Sequence, residues 1–227
     1  MPNQAACEAY GYTYDTATRS CIAYMYSGQT QRAISNEKNL VKGSANSTEI
    51  GTTNTFIMGE SNTTKVNNAA VFGNYGKATR DGETVFGGGG FNGEAIGKAQ
   101  SSVITLTGTT RSATPTNLFV NGDPNVTIIP RVGTGAFESF EVMIIAVRTG
   151  GSAGSGAVND RKAIKTYGMI YLDVVDQTTY KIGEFGTITG WAGEAAFSGG
   201  NMFIEVTGAA DMDISWSATL HLYEMTV

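Results

Sequence analysis

Four short segments in the first half of the sequence repeat one pattern: an apolar residue, any residue, a glycine, a small or polar residue, any residue, and asparagine or glycine. The segments are LVKGSAN (Leu40–Asn46), FIMGESN (Phe56–Asn62), AVFGNYG (Ala70–Gly76) and TVFGGGG (Thr84–Gly90). Their aligned glycines are 16, 14 and 14 residues apart, and they are Gly43, Gly59, Gly73 and Gly87. A period this short excludes helical-hairpin repeats, which take more than about 30 residues.

A repeat of 14 to 16 residues has room for one solenoid coil of two short β-strands and two tight turns. Glycine and asparagine tolerate the positive φ angles that the corners of such a coil need. Polar turn segments, EIGTTN, KVNN and RDGE, lie between the repeats. The pattern therefore predicts a glycine-rich β-roll over residues 43–100, with Ile57, Val71, Val85 and Ile96 pointing inward.

The core of such a roll is thin, because each coil contributes one or two apolar side chains. One column of coils buries too little apolar surface to offset the entropy lost on ordering its backbone. Three chains packed around a common axis would pool their inward faces, so we expect an intertwined homotrimer. The alternative is a glycine-rich surface region of a β-sandwich or a disordered linker. Regular apolar positions, which linkers rarely keep, favour the roll.

Composition indicates an all-β chain and argues against several functions. The 227 residues include 30 glycines and 15% charged residues, against about 25% in ordinary soluble domains. The net charge of −5 disfavours nucleic-acid binding, which needs clustered Lys and Arg. Apolar runs such as VMIIAV (Val142–Val147) are far shorter than the roughly 20 residues that cross a bilayer, so we expect no membrane insertion. The first residues lack the basic and apolar regions of a signal peptide.

Residues 1–42 form a distinct N-terminal segment that contains both cysteines. Cys7 and Cys21 flank an aromatic stretch with turn residues that can fold as a small hairpin. Two thiols cannot complete a structural zinc site, which takes four ligands. A disulfide and free thiols both stay open, because a reducing cytosol disfavours the bond and an oxidising exterior favours it. Further on, Ile34 and Val41 are seven residues apart, which fits a short helix or a polar linker.

Residues 101–227 are predicted to form a C-terminal antiparallel β-sandwich or jelly-roll-like head. Seven or eight candidate strands are separated by Gly or Asx turns, a layout typical of such domains. The candidates are SVITLTGTT, NLFV, VTIIP, FESFEVMIIAVRT, KTYGMIYLDVVD, TYKIGEFGTIT, NMFIEVTGA and DISWSATLHLYEM. The last one alternates most clearly, and its apolar face consists of Ile214, Trp216, Ala218, Leu220 and Leu222.

Two parts of the sequence resemble known families. The units AVFG (Ala70–Gly73), TVFG (Thr84–Gly87) and EAIG (Glu94–Gly97) are similar to the head repeats of trimeric autotransporter adhesins and to β-roll segments of bacteriophage fibres. The segments SSVITLTGTTRSATPTNLFV, FESFEVMIIAVRT and MFIEVTGAADMDISWSATLHLYEM resemble, in this order, a C-terminal domain of phage tail-fibre and related virion proteins. The segment AGSGAVNDRKAIKTYGMIYLD departs from that pattern. These resemblances imply a homotrimeric virion fibre.

One arrangement in the sequence fits a hydrolase. GGSAG (Gly150–Gly154) has the G-x-S-x-G pattern, and Ser152 is followed by Asp173, Asp176 and then His221, in the order of the α/β-hydrolase triad. A nucleophile elbow needs a strand, a sharp turn and a helix, whereas this loop leads from a strand into a glycine-rich hairpin tip. We therefore expect an exposed flexible loop, and a protein that is not an enzyme.

The remaining candidate residues have simpler structural explanations. His221 is the only histidine, and three copies on a trimer axis could hold a metal, but a strand residue at the surface or an interface is the simpler interpretation. Asp211 and Asp213 offer the carboxylates that Ca²⁺ prefers, yet turn capping also explains them. Trp191 and Tyr180 fit a sugar-stacking surface, while a core tryptophan is equally ordinary.

No catalytic, cofactor-binding or metal-binding residue is therefore assigned, and Gly87–Gly90 lack the Gly-Lys-Ser/Thr of a phosphate loop. The expected protein is a homotrimeric bacteriophage virion fibre, assembled in the host cytoplasm. Residues 1–42 would attach it to capsid or tail proteins, and residues 101–227 would bind a host surface receptor, with a glycan as the favoured ligand. A capsid head fibre or decoration protein is the close alternative. A depolymerase tailspike, which needs a long β-helix or an acidic catalytic cluster, is the third candidate.

Overall fold

The computed structural model describes residues 38–89, 96–126, 128, 136–153, 155–171 and 174–226, together with residues 4, 13–15 and 20–22. Every element whose bounds are described is a β-strand, so the chain is all-β, as its composition predicts. Within these residues, no helix has the length and apolar character needed to cross a membrane.

Near the N-terminus, β1 (Thr13–Asp15) and β2 (Ser20–Ile22) pair antiparallel, with Tyr14 opposite Cys21. The predicted small hairpin is confirmed. Cys7 lies outside the described residues, so the disulfide stays a prediction. Ile34 also lies outside them, and Val41 belongs to a β-strand rather than to the short helix that its spacing allowed.

Residues 40–88 wind into about four coils of a β-solenoid. The longer strands of the coils run parallel as neighbours, and they are β3 (Leu40–Ser44), β5 (Phe56–Glu60), β7 (Ala70–Asn74) and β9 (Thr84–Gly88). The shorter strands form a second parallel sheet of β4 (Ser47–Thr48), β6 (Thr63–Thr64) and β8 (Lys77–Ala78). The first coil thus begins at Leu40, before the boundary at residue 43 that the sequence suggested.

The strand register confirms the glycine alignment read from the sequence. Each aligned glycine is the direct neighbour of the next from coil to coil, in the order Gly43, Gly59, Gly73 and Gly87. The corners between strands have left-handed φ angles of 53° to 58° at Ala45, Asn54, Ser61, Asn68 and Tyr75. Left-handed φ is unfavourable for alanine, serine and tyrosine, so coil geometry, and not residue preference alone, sets these corners.

The solenoid core is thin. Ile57, Val71 and Val85 are fully buried, as predicted, and with Ala69 and Ala78 they form the buried apolar cluster of the described coils. The prediction that Ile96 joins them is wrong, because its side chain is 41% exposed. Beyond β9 the next strand runs antiparallel, so Ile96 does not occupy a coil position.

Asparagine side chains add hydrogen bonds between the coils. Asn62 donates from Nδ2 to the carbonyl of Gly73 at 2.7 Å and accepts at Oδ1 from the N–H of Gly76 at 2.7 Å. Asn46 does the same one coil earlier, with Gly59 O at 2.8 Å and the Asn62 N–H at 2.9 Å. These bonds satisfy backbone groups at the corners, where the strand ladder ends.

After the solenoid, the chain forms a wide antiparallel sheet that continues the same ladder. In spatial order its strands are β14 (Val174–Phe185), β13 (Arg161–Tyr171), β12 (Ala136–Gly150), β17 (Asp213–Thr226) and β10 (Ala99–Thr110). β10 pairs antiparallel with β9. The solenoid and the C-terminal region therefore share one nine-stranded sheet, from β14 to β3.

Three further strands, β11 (Thr116–Val120), β15 (Ala192–Ser198) and β16 (Asn201–Thr207), fold back over this sheet. β11 pairs with both β10 and β16, and β15 pairs with β16. Gln177 on β14 connects the two groups of strands. Its side-chain amide donates a hydrogen bond to the carbonyl of Ala195 on β15 at 2.8 Å and accepts one from the N–H of Ala195 at 3.0 Å.

One buried apolar cluster takes side chains from both groups of strands, among them Ile104, Leu118, Phe140, Ile144, Trp191, Ile204 and Trp216. The predicted apolar face of the last strand is confirmed, since Ile214, Trp216, Ala218, Leu220 and Leu222 are all buried in this cluster. The C-terminal region therefore has the substantial core that the coils lack.

Candidate functional site

The side of the nine-stranded sheet opposite the core, which we call the outer face, can be followed row by row through the strand register. One row of neighbours consists of Lys42, Met58, Phe72, Phe86, Ser101, Tyr223, Ser139, Met169 and Asp176. The next consists of Leu40, Phe56, Ala70, Thr84, Val103, His221, Glu141, Tyr167 and Thr178. Neighbouring residues point to the same side of a sheet, so both rows cross the whole face.

Large apolar side chains are exposed along this outer face. Eleven of them have between 37% and 51% of their surface exposed, namely Leu40, Met58, Phe86, Phe137, Met143, Ile145, Tyr167, Met169, Tyr180, Tyr223 and Met225. The alternate positions on the same strands, such as Val142, Ile144 and Leu222, are buried in the core. β12 is therefore apolar on both sides over much of its length, although the fold of one chain covers only one side.

Aromatic rings contact each other at both ends of the outer face. On the solenoid side, the ring centroid of Phe72 lies 5.4 Å from that of Phe56 and 5.7 Å from that of Phe86. On the far side, Tyr167 and Tyr180 stack at 5.7 Å with an interplanar angle of 16°, and their hydroxyl oxygens are 3.3 Å apart. That hydrogen bond raises the pKa of Tyr167.

Charge is sparse in the middle of the outer face. From Ala99 to Thr109 on β10 and from Ser215 to Met225 on β17, the outward positions carry Ala, Ser, Thr, Val, Tyr, Met and the one histidine, His221. Asp213, at the end of β17, lies 3.2 Å from Arg111 Nε. Beside them, Glu141 and Lys165 form an ion pair at 2.9 Å, so their charges compensate each other. His221 has Val103 and Glu141 as strand neighbours. The outer face is thus suited to contact with another apolar surface.

A cluster of buried charged side chains joins the solenoid to the C-terminal strands. The guanidinium of Arg80, in the turn after β8, donates to Glu83 Oε1 and to Glu224 Oε1, both at 2.6 Å. Its Nη2 also lies 3.6 Å from Glu138 Oε2. Gln100 on β10 donates to Glu224 Oε2 at 2.7 Å and to the carbonyl of Lys77 at 3.0 Å. One turn of the solenoid is therefore tied to β10, β12 and β17.

The charged groups of this cluster are shielded from solvent. The side chains of Arg80, Glu83, Glu138 and Glu224 are at most 1% exposed. Burial acts to lower the pKa of Arg80, but the carboxylates of Glu83, Glu224 and Glu138 outweigh it and hold that pKa above its ordinary value. Arg80 is accordingly charged at any physiological pH, and the cluster fastens two regions rather than offering carboxylates to a substrate.

Sequence reasoning missed this cluster, although a signal was present. On β17 the buried alternation continues past Leu222 to Glu224, and on β12 it begins at Glu138, two residues before Phe140. A charged residue at an inward position needs a buried partner of opposite charge. The turn sequence RDGE, which was read only as a corner, supplies that partner in Arg80.

The G-x-S-x-G loop does not assemble a catalytic triad. Gly150 lies opposite Asp213 at one end of β17, whereas His221 is eight residues further along the strand, or about 27 Å at about 3.4 Å per residue. Asp173 lies outside the described residues. Ser152, two residues after Gly150, is exposed and therefore lies far from the imidazole.

The same loop is also not the loose tip that its glycines predict. The buried side chain of Arg148 donates to the carbonyls of Ser155 at 2.6 Å, Gly150 at 3.0 Å and Ala153 at 3.3 Å. The carboxylate of the buried Asp160 accepts from the N–H of Ala157 at 2.8 Å. These two side chains bind the described part of the loop to its base. The loop is exposed, as expected, and its flexibility stays a prediction.

The other candidate residues are separated by the fold. Asp213 lies 3.2 Å from Arg111 Nε, and Asp211 occupies a turn with φ 57°. Among the described residues, no group of three or more His, Cys, Asp and Glu side chains is placed to hold a metal ion. Trp191 is buried with its ring centroid 5.9 Å from that of Trp216, whereas Tyr180 is exposed on the outer face. The two do not share a sugar-stacking surface.

Comparisons with known proteins give distant matches only. No family model and no curated protein matches the sequence. Among solved structures, the chain is similar to the tailspike protein of Acinetobacter baumannii phage AM24, with 11% identity and a TM-score of 0.30 over 74% of this chain and 33% of that one. It is also similar to the tailspike protein of Acinetobacter phage vB_ApiP_P1, with 9% identity and a TM-score of 0.26 over 76% of this chain and 39% of that one.

A third match is a structure described as Bacillus endospore appendages that form a novel family of disulfide-linked pili, with 9% identity and a TM-score of 0.21 over 60% of this chain and 99% of that one. The chain spans between a third and two fifths of the two tailspike chains. TM-scores of 0.30 and lower do not establish a common fold. What the chain does show by itself is an all-β architecture with a solenoid of about four coils.

Proposed function

We propose that this chain is a structural fibre protein of a bacteriophage virion, homotrimeric and without enzymatic activity. Residues 1–42 attach it to the particle, the solenoid forms a short neck, and residues 101–227 form a distal β-sandwich head that adheres to the host surface. A surface glycan is the favoured receptor class. Three heads on one trimer, repeated over the particle, convert weak contacts into firm attachment through effective concentration.

The observation that carries this proposal is the direct connection between a four-coil solenoid and a wide antiparallel sheet. The connection is a strand ladder between β9 and β10, reinforced by the buried cluster around Arg80. A joint of this kind transmits force and orientation between an anchored end and an exposed end, as a fibre requires. The resemblance of the repeats and of the C-terminal segments to phage fibre proteins, read from the sequence, favours the same proposal.

The thin solenoid core supports the trimer. Its buried apolar cluster comprises five described residues, Ile57, Ala69, Val71, Ala78 and Val85, of which two are alanines. A short solenoid with so little buried apolar surface is marginal as an isolated column. Contacts between copies supply the missing burial. The mass of the undenatured protein should then be about three times 23.8 kDa.

Gold-labelled antibodies against the purified chain test the proposal on intact phage particles. Labelling at the tail supports a tail fibre, labelling over the capsid supports the alternative of a head fibre or decoration protein, and failure to label virions that contain the chain by peptide mass spectrometry contradicts display on the surface. Absence of the chain from purified virions sinks the proposal altogether.

Competition for host binding tests adhesion separately. Purified trimer added before infection should slow phage adsorption, and a protein heated until it unfolds should not. Release of reducing sugar ends from host polysaccharide by the purified protein would overturn the non-enzymatic assignment and favour the depolymerase.

A further inference from the structure

The outer face is large enough to be a macromolecular interface. A large apolar side chain offers about 200 Å², so the eleven exposed side chains, each between 37% and 51% exposed, present about 900 Å² of accessible surface in total. The largest apolar patch of a typical monomer is about 300–600 Å², and a standard stable interface buries about 800 Å² on each partner. This face therefore has the area of a complete interface on one side.

The distribution of charge identifies the partner. Identical copies bring like charges together wherever the same charged residue meets itself or its neighbour, and such contacts are unfavourable. From Ala99 to Thr109 on β10 and from Ser215 to Met225 on β17, the outward positions carry no Asp, Glu, Lys or Arg. Asp213, at the end of β17, pairs with Arg111 at 3.2 Å, and the adjacent Glu141 and Lys165 neutralise each other at 2.9 Å. The middle of this face, on β10 and β17, therefore lets identical copies meet without setting like charges against each other.

The continuity of the sheet extends the same surface along the molecule. Phe86 on β9 neighbours Ser101 on β10, which neighbours Tyr223 on β17. The ladder is therefore continuous from the solenoid to the C-terminal strands, with only the small Ser101 between the two aromatic rings. The region with the thin core, where contact with other copies is needed most, thus lies on the same face as Met143 and Ile145.

We infer that the outer face packs against two further copies of this chain, so that three nine-stranded sheets surround a common axis with their apolar rows inside. This inference rests on the proposed homotrimer and names the surface that forms it. Three equivalent faces around one axis enclose a triangular prism, in which each face meets both neighbours. Tyr223, Met225 and Phe137 of each copy become buried, and the core between β12 and β16 keeps the structure it has in one chain.

Methionine oxidation of the full-length wild-type protein tests the surface without any substitution. Met58, Met143, Met169 and Met225 lie on the outer face and are 37% to 46% exposed in one chain. In the assembled protein, peptide mass spectrometry after peroxide treatment should show them oxidising at least about 10-fold more slowly than after unfolding in urea. Met202 and Met212, buried in the core, serve as protected references.

A charge on the face is the complementary test. Ile145→Lys places a lysine in the middle of the surface in every copy, and it should raise the concentration at which half of the trimer dissociates by at least about 100-fold, since like charges at an interface cost several kcal/mol. Val158→Lys, at a residue 55% exposed in the β12–β13 loop, is the matched control and should leave the mass unchanged. If the tryptophan fluorescence spectrum of the dissociated variant is the same as that of the wild-type protein, the fold of the single chain is retained.

The two proposals fail in different ways. A monomeric wild-type protein at micromolar concentration overturns both the homotrimer and the interface. A trimer in which the four methionines oxidise as fast as in urea, or that survives Ile145→Lys, keeps the homotrimer and overturns the outer face as its contact surface. Should Ile145→Lys fail to fold, the oxidation pattern of the wild-type protein decides.

Discussion

The two halves of the nine-stranded sheet are stabilised by different means. The solenoid half encloses five buried apolar residues among its described coils, whereas the C-terminal half shares a cluster of 23. In the coils, order comes from in-register parallel strands, left-handed corners and asparagine bonds such as those of Asn62. In the C-terminal region it comes mainly from apolar burial, which is non-directional and tolerates varied sequence. The comparison explains why a sequence repeat is visible only in the coils.

The junction between the two halves is stabilised by neither of these means. Arg80, Glu83, Glu138 and Glu224 form a buried ionic cluster, which costs desolvation energy and stabilises little compared with apolar packing. Its contribution is directional: the bonds of one guanidinium fix how the third coil sits against β12 and β17. An apolar contact at the same place would be less directional.

Breaking the junction has the largest expected effect. Arg80→Met leaves buried carboxylates without this guanidinium and should lower the free energy of unfolding by about 3–5 kcal/mol. Adding Glu83→Gln and Glu224→Gln should recover part of the loss, because the uncompensated charge is then removed. Arg161→Met, at an exposed arginine on β13, is the control. Urea unfolding followed by circular dichroism measures the effect, and an Arg80→Met loss no greater than that of Arg161→Met would contradict the account.

Equivalent truncations in the two cores sharpen the comparison directly. Ile144 and Ile57 are both fully buried, but Ile144 lies in the large cluster and Ile57 in the small one. Ile144→Ala should cost about 4 kcal/mol and Ile57→Ala about 2 kcal/mol, since a thin core collapses more easily around a cavity. Both tryptophans lie in the C-terminal region, so their fluorescence reports that region while circular dichroism reports the whole sheet. Equal losses would show that the two cores are equally rigid.

Glycine substitutions separate close packing from backbone strain in the coils. Gly59 has φ 133°, and a Cβ there would overlap the carbonyl oxygen of Gly73. Gly51 has φ 91°, but a Cβ there would meet open space. Strain at a left-handed position costs about 1–3 kcal/mol, so Gly51→Ala should show this cost alone and Gly59→Ala a larger one. Thermal unfolding measures the stability of both variants. Equal shifts in melting temperature would mean that adjacent coils move apart without cost to make room for the added methyl group.

The smallest expected effect is at the surface of the solenoid. Lys65 and Glu49 lie 3.9 Å apart on adjacent coils, and both side chains are more than half exposed. Such pairs contribute about 0–1 kcal/mol. Lys65→Met should therefore leave the free energy of unfolding within about 0.5 kcal/mol of wild type. A loss as large as that of Ile57→Ala would show that inter-coil charge, and not the backbone ladder, stabilises the solenoid.

Much of the placement of strands along the chain was predictable because the patterns are local. The glycine spacing gave the coil register, and the alternation in β17 gave its buried face. Two errors have clear causes. KTYGMIYLDVVD has the pattern of one strand, because apolar residues continue along it. In the structure, part of it belongs to β13 and part to β14. β15, with the sequence AGEAAFS, was missed because its small residues carry little β-propensity.

The candidate site was less predictable than the fold. Tyr180 and Trp191 were considered together because both are aromatic, yet one lies on the outer face and the other in the core. The sequence pattern places Met143, Ile145 and the other apolar residues of the outer face on strands. It does not show that their side of the sheet is left uncovered. Which side of a strand faces the core depends on the elements that fold over it, and those are distant in sequence.

By itself, the sequence determined the all-β class, the coil period and the glycines at which adjacent coils approach, because strand alternation and left-handed corners are properties of a few neighbouring residues. The tertiary structure alone decided that the coils continue into β10, that Arg80 meets Glu224 from 144 residues away, and that one face of the sheet is uncovered. These features arise from strand pairing between distant segments, which no local pattern encodes.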